Sequence, residues 1–222
     1  MIPKQKAIIF DMDGVIANTE PLKAEAHVAT VRQLGGNVSA QLYAKVMGQS
    51  QETVSATFIK SSMIRCDLDT YTKIFRRVYY ELLDEKLEFI PGMPNFLQIL
   101  ANRGYSLALV SSSYLEAIRK ILTILKIDDL FKLLVSADDV KTKKPSPEPY
   151  LLALQRLKVT SQNALVFEDS EAGIISAHDS GILVVAVRHN LNITHDFSSA
   201  VYTIESFVDT SFLIRLIDKI LQ

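Results

Sequence analysis

The tightest constraint on this chain sits near its start. Ala7-Ile8-Ile9-Phe10 is an uninterrupted apolar run of the kind that fits a strand buried on both faces, and it stops at Asp11. Asp11-Met12-Asp13-Gly14 then sets two carboxylates one residue apart, followed by a glycine that lets the chain turn sharply. In α/β sheets, ligands bind just beyond the carboxyl ends of strands, where Asp11 and Asp13 would stand. Two acids so close repel each other. A hard cation such as Mg2+ is the simplest relief, because it takes oxygen ligands. An Asx turn with a helix-capping aspartate accounts for an isolated D-x-D-G at least as well, so the rest of the chain has to decide.

Downstream of residue 87, apolar runs at 106–110, 133–135, 164–167 and 182–187 read as further short strands. Helical patterns at 94–103, 114–125, 147–157 and 171–180 separate them, and an amphipathic helix over 210–221 closes the chain. Strands alternating with helices predict an α/β fold with a doubly wound parallel sheet. Residues 18–87 break the alternation. Pro21, at a first-turn position, opens a helix reaching residue 34, and Ser39 is expected to cap one reaching residue 46. Residues 52–63 and 67–84 are also read as helical, with 48–51 as a loop between. Four helices without a convincing strand predict a small helical cap inserted after the first strand. The expected domains are therefore 1–17 with 88–222 for the core, and 18–87 for the cap.

Composition narrows the possible partners. The chain has 222 residues, 48% of them hydrophobic, enough to bury a sizeable core. A net charge of −1 gives no footing for nucleic acid or an anionic membrane surface. No apolar run approaches the roughly 20 residues of a bilayer span. Cys66 is the one cysteine, so no internal disulfide can form, which fits a reducing cytoplasm. The first apolar run ends at Asp11 without a small-residue cleavage site, so no signal peptide is expected. A cytoplasmic monomer is the expectation.

The strand ends carry the chemistry. The first offers Asp11 and Asp13. The second offers Ser111, with the amides of Ser112 and Ser113 read as opening a helix, a natural anion site. Lys141-Thr142-Lys143-Lys144-Pro145 precedes the helix at 147, and the fourth strand ends in Glu168-Asp169-Ser170. Each piece alone has a plainer role: Ser111 as a helix cap, Lys144 as a solvated lysine, the acids as a dipole-favoured helix start. Together they form a set suited to a phosphate monoester beside a divalent cation. The plainer role prevails for His27, His178, His189 and His195, which lack ligand spacing, for Cys66 and Tyr79-Tyr80 as packing residues, and for Arg76-Arg77 as a solvated helix face.

The order D-x-D-G-V, V-S-S-S, K-P-x-P-E-x-Y and F-E-D-S-x-x-G resembles the haloacid dehalogenase superfamily of phosphotransferases. The helical insertion resembles its phosphatase and β-phosphoglucomutase-like branch. The resemblance covers essentially the whole chain and implies a Rossmann-like core. It implies Asp11 as a nucleophile that forms an aspartyl-phosphate, and Asp13 as acid and then base, its carbonyl also a metal ligand. Ser111 and Ser112 would hold phosphoryl oxygens, and Lys144 would offset negative charge. Asp169 would bind Mg2+ directly and Glu168 through a water. Lys23, near the hinge, and Gly48, in a cap loop, are the expected substrate contacts on the cap side. Dehalogenases of the family need no metal and lack the second aspartate, so Asp13 argues against that activity.

Three positions depart from relatives. Asn18 replaces a common aspartate and is expected to cap a helix as well. The β-phosphoglucomutases carry a histidine where this chain has Lys23, and an arginine where it has Gln51. The expectation is therefore a Mg2+-dependent phosphatase of a small phosphorylated metabolite. A phosphomutase on the same scaffold is the alternative, and a non-catalytic phosphate-binding regulator a remoter one, which the intact acids and Lys144 oppose.

Overall fold

The computed structural model describes residues 5–222. Residues 1–4, which begin the expected core segment and the stretch expected to hold no signal peptide, lie outside the described part. The six strands are β1 (Ala7–Phe10), β2 (Ser106–Val110), β3 (Leu133–Val135), β4 (Ala164–Glu168), β5 (Leu183–Val187) and β6 (Tyr202–Ile204). They form one sheet in the order β3-β2-β1-β4-β5-β6, with every neighbouring pair parallel. This is the doubly wound sheet expected from the alternation. β1 lies between β2 and β4, where the winding reverses. Phe10 stands opposite both Leu109 and Phe167, so the residues that follow these strands emerge together at one sheet edge.

The helices are α1 (Glu20–Gln33), α2 (Gln41–Ala44), α3 (Gln51–Ser62), α4 (Leu68–Lys86), α5 (Met93–Asn102), α6 (Leu115–Leu125), α7 (Glu148–Leu157), α8 (Glu171–Asp179) and α9 (Thr210–Ile220). Alternation along β1 sends Ile8 and Phe10 to one face, against residues of α5, α6 and α9. There Phe10 stacks on Phe167 with centroids 5.3 Å apart. Ala7 and Ile9 face the other layer, built on Tyr150 of α7 and Ile174 of α8. Helices on both faces explain why β1, β2, β4 and β5 carry nearly unbroken apolar runs rather than alternating ones.

The helices α1 to α4 occupy the insertion. His27 of α1 is buried among the rings of Tyr43, Phe58, Tyr71 and Phe75, and its Nδ1 lies 2.9 Å from the Tyr71 hydroxyl. Burial, aided by Lys23, pushes its imidazole down to about 3, so it packs as a neutral ring.

Several local readings are corrected. Ala40, not Ser39, precedes α2, which ends at Ala44 short of the expected 46; the Ser39 hydroxyl accepts from the Gln41 amide instead. Asn18 does not cap α1, whose flanking residue is Thr19. β6 was not anticipated: it has three residues, two of them exposed, and so no apolar signature.

Candidate active site

Asp11 follows β1 directly, its amide bonded to the Phe167 carbonyl at 2.9 Å. Lys144 reaches it from the loop before α7. Its ammonium donates to Asp11 Oδ1 at 2.7 Å, to Glu168 Oε1 at 2.7 Å and to the Val110 carbonyl at 2.9 Å. Burial works against the charge on Lys144, but Asp11 and Glu168 outweigh it and hold the ammonium well above its usual value. Burial pushes the Asp11 carboxyl up to about 7, with Glu168 and Asp13 adding to the rise and Lys144 opposing it.

Glu168 was expected to act on a metal through a water. Its Oε1 takes Lys144 and the Tyr150 hydroxyl, and its Oε2 takes the Ser170 amide and hydroxyl at 2.9 and 3.1 Å. It does not line the cavity described below. A side chain on residue 173 would put its Cβ 1.7 Å from Glu168 Oε1, which is why glycine stands there.

Asp13 is gripped differently. Lys23 meets Oδ1 at 2.8 Å, Thr19 donates to the same oxygen, and Ser113 donates to Oδ2 at 3.0 Å. Burial raises this carboxyl, but Lys23 and the hydrogen bonds from Thr19 and Ser113 prevail and hold it below the usual range. Lys23 also meets Glu20 at 2.9 Å, and Glu20 accepts from the Tyr43 hydroxyl at 2.8 Å.

Ser111 stands buried beside Asp13. Its hydroxyl accepts from the Ser113 amide at 3.1 Å and lies 3.5 Å from Asp13 Oδ2. The Ser113 amide is thus spent within the loop, and α6 begins only at Leu115, so the serines precede the helix rather than open it. Ser112 and Ser113 line the cavity, as do Lys23 and Gly48. Gly48 has φ +82°, and a Cβ on it would lie 3.0 Å from that of Ser170.

Asp169 follows β4. His189 Nε2 lies 2.9 Å from its Oδ2, and the Leu191 amide donates to His189 Nδ1 at 3.2 Å. The tautomer follows: Nδ1 accepts, so Nε2 carries the proton and donates to Asp169. Asn192 ties the Asp169 and Val187 carbonyls together at 2.8 Å each. Burial first, then Glu168, Glu20 and Asp11, lift the Asp169 carboxyl well above its usual value. Gly14, at φ +75°, is needed here too, since a Cβ would fall 2.0 Å from Asp169 Oδ2.

Five carboxylates (Asp11, Asp13, Glu20, Glu168 and Asp169) therefore gather around two lysines, all of them buried or nearly so. That imbalance suits a divalent cation. No cluster of three or more His, Cys, Asp and Glu residues able to hold a metal occurs among the described residues. The hard oxygens at hand are the carboxylates of Asp11 and Asp169 and the Asp13 carbonyl. Two carboxylates completed by water and substrate phosphate are what Mg2+ ordinarily takes, so the residues fit it.

The cavity in front of Asp11, Asp13 and Asp169 is roofed by residues of α2, α3 and α4. Sequence reasoning missed Thr19, Glu20 and Asn192, set His189 aside as lacking ligand spacing, and noted Ser113 for its amide rather than for the hydroxyl that reaches Asp13. Outside Ser113 none carries a motif signal, because each acts by touching a motif residue that only the fold brings beside it.

A sequence profile described as haloacid dehalogenase-like hydrolase matches residues 8–187. A "Phosphorylated carbohydrates phosphatase" from Thermotoga maritima is 34% identical over 84% of this chain and 87% of its own length. A "Phosphoglycolate phosphatase" from Aquifex aeolicus is 29% identical over 79% of this chain and 81% of its own. Among solved structures, a β-phosphoglucomutase from Clostridium difficile superposes with a TM-score of 0.81 over 97% of this chain and 98% of its own, at 23% identity, a likeness of fold. No helix among the described residues is long and apolar enough to cross a membrane.

Proposed function

The chain belongs to the haloacid dehalogenase-like hydrolases, and from that premise we propose that it is a Mg2+-dependent phosphatase of a small phosphorylated metabolite. The observation that carries this reading is the pairing of two neighbouring aspartates in opposite settings. Asp11 is held by Lys144 at 2.7 Å and Asp13 by Lys23 at 2.8 Å, both facing one cavity.

In this reading Asp11 attacks phosphorus, the P–O bond to the leaving group breaks, and an aspartyl-phosphate forms. Asp13 gives its proton to the departing alkoxide. The incoming phosphoryl dianion raises the affinity of Asp13 for that proton, which Lys23 otherwise keeps low. Asp13, now ionised, removes a proton from water as the water attacks phosphorus, and Asp11 is released with inorganic phosphate. Lys144 screens both the carboxylate and the phosphoryl oxygens, which otherwise repel each other. Ser112 and Ser113, on the cavity wall, are placed to contact the phosphoryl group. Asp11, Asp169 and the Asp13 carbonyl would hold Mg2+, which when bound supplies further neutralisation of that charge.

Residues 18–87 serve as a cap that closes over the site and excludes water. Contacts of Glu52 with the Tyr114 hydroxyl at 2.8 Å and with Lys143 at 3.3 Å support a closed position. Gln51 donates to Ser55 at 3.0 Å, and Lys23 is committed to two carboxylates, so neither offers a sugar phosphate a fork of charged donors. This favours water over a sugar hydroxyl as acceptor. The test is hydrolysis of p-nitrophenyl phosphate with Mg2+ and with EDTA. Turnover that appears with Mg2+ and vanishes with EDTA is expected, and undiminished turnover in EDTA contradicts the metal assignment.

A further inference from the structure

The mechanism leaves one buried polar atom of the cavity unused. Tyr79 of α4 is buried, and among the described residues its phenol oxygen is the buried side-chain atom without a hydrogen-bond partner. Folded proteins rarely leave such an atom unpaired without a functional reason. Tyr79 lines the cavity on the α4 face that also presents Thr72, Phe75 and Arg76. Burial raises its phenol well above the ordinary value, and Asp13 and Glu20 add to the rise against Lys23, so the oxygen keeps a proton to donate. The Thr19 hydroxyl beside the phenol donates to Asp13, so the phenol stands one side chain away from that carboxylate.

The surrounding wall is aromatic and apolar, built from Tyr43, Met47, Val54 and Phe75. Its lysine and its arginine each already face a carboxylate. Lys23 bridges Asp13 and Glu20, and Arg76 leans on Glu116 at 3.7 Å. Such a wall does little to neutralise a second anionic group. It suits an alcohol with apolar faces and hydroxyls. Because Asp13 serves the ester oxygen, a donor near Asp13 reaches the first carbons of the leaving group.

We propose that the Tyr79 hydroxyl is a specificity-determining donor to a substrate hydroxyl on the carbon next to the ester carbon. The substrate is then the phosphate monoester of a neutral polyhydroxylated alcohol, rather than one bearing a carboxylate or a second phosphate. This deepens the phosphatase reading and rests on it.

The test compares kcat/KM for 1,2-propanediol 1-phosphate, n-propyl phosphate and phosphoglycolate in the unaltered protein and in Tyr79→Phe. The diol and propyl esters differ only by the hydroxyl in question. The unaltered protein should prefer the diol ester to both others. Tyr79→Phe should reduce the diol-to-propyl ratio by about fivefold, the worth of one neutral hydrogen bond. Its ligand-free Tm should not fall, since the oxygen removed has no protein partner. Two results overturn the proposal: a ratio that Tyr79→Phe leaves unmoved, or an unaltered protein that favours phosphoglycolate. Failure of the unaltered protein to hydrolyse any of the three esters, or p-nitrophenyl phosphate, overturns the phosphatase reading itself and this proposal with it.

Discussion

Asp11 and Asp13 share a turn yet are driven in opposite directions. Burial lifts the first to about 7, while Lys23 and two hydroxyls pull the second down. Asp11→Asn removes the attacking oxygen, so turnover should vanish while the far-ultraviolet circular dichroism spectrum stays unchanged. Asp13→Asn removes the proton donor. Alkyl esters should slow by about 10²–10⁴-fold in the first step, and an aryl ester, with its better leaving group, by much less. Rapid-quench measurement of the first step separates the two, and equal losses would remove Asp13 from the acid role. His189 fixes Asp169 through Nε2 at 2.9 Å. His189→Ala should weaken Mg2+ binding by about 10–100-fold, read by calorimetry without substrate. Unchanged affinity would make the contact incidental.

At the scale of elements, three of the four motifs were legible because they end strands, and the fourth because it leads into α7. A strand of four apolar residues followed by Asp11 can only deliver that carboxylate to the sheet edge, and the same holds for Asp169 after β4. What escaped was whatever depends on how one element meets another. Ser111 reads as a phosphate ligand by position, but no pattern announces that its hydroxyl also accepts from the Ser113 amide or that Ser113 joins it beside Asp13 Oδ2. Glu168 reads as a metal partner, and its contacts with Lys144, Tyr150 and Ser170 have no signal in the sequence. β6 pairs with β5 through its backbone and needs no apolar pattern to do so. The insertion's contacts with the core likewise leave no trace in sequence: Glu52 with Lys143, Arg76 with Glu116, and Asp84 with Lys120. These pairs are partly exposed and individually weak, about 0.2–1 kcal/mol each. Glu52→Ala should therefore raise KM by no more than about fivefold, with a smaller effect at high salt. An unaltered KM at low salt would show that the contact does not hold the cap.

For the whole molecule, the fold brings a largely apolar, aromatic-walled chamber and an acid-rich floor together, and the choice of phosphoryl acceptor depends on both. With Lys23 and Gln51 already engaged by the protein, β-glucose 1-phosphate primed with its 1,6-bisphosphate should release inorganic phosphate faster than it forms glucose 6-phosphate. The reverse order would make the protein a mutase. The account turns on a phosphoryl group residing on one side chain. Borohydride quenching during steady-state hydrolysis of p-nitrophenyl phosphate, with peptide mass spectrometry, tests this most directly, since it reduces an acyl phosphate to an alcohol. The account predicts homoserine at position 11, dependent on Mg2+ and substrate. Continued turnover with aspartate intact at that position, or reduction at a different carboxylate, would contradict it.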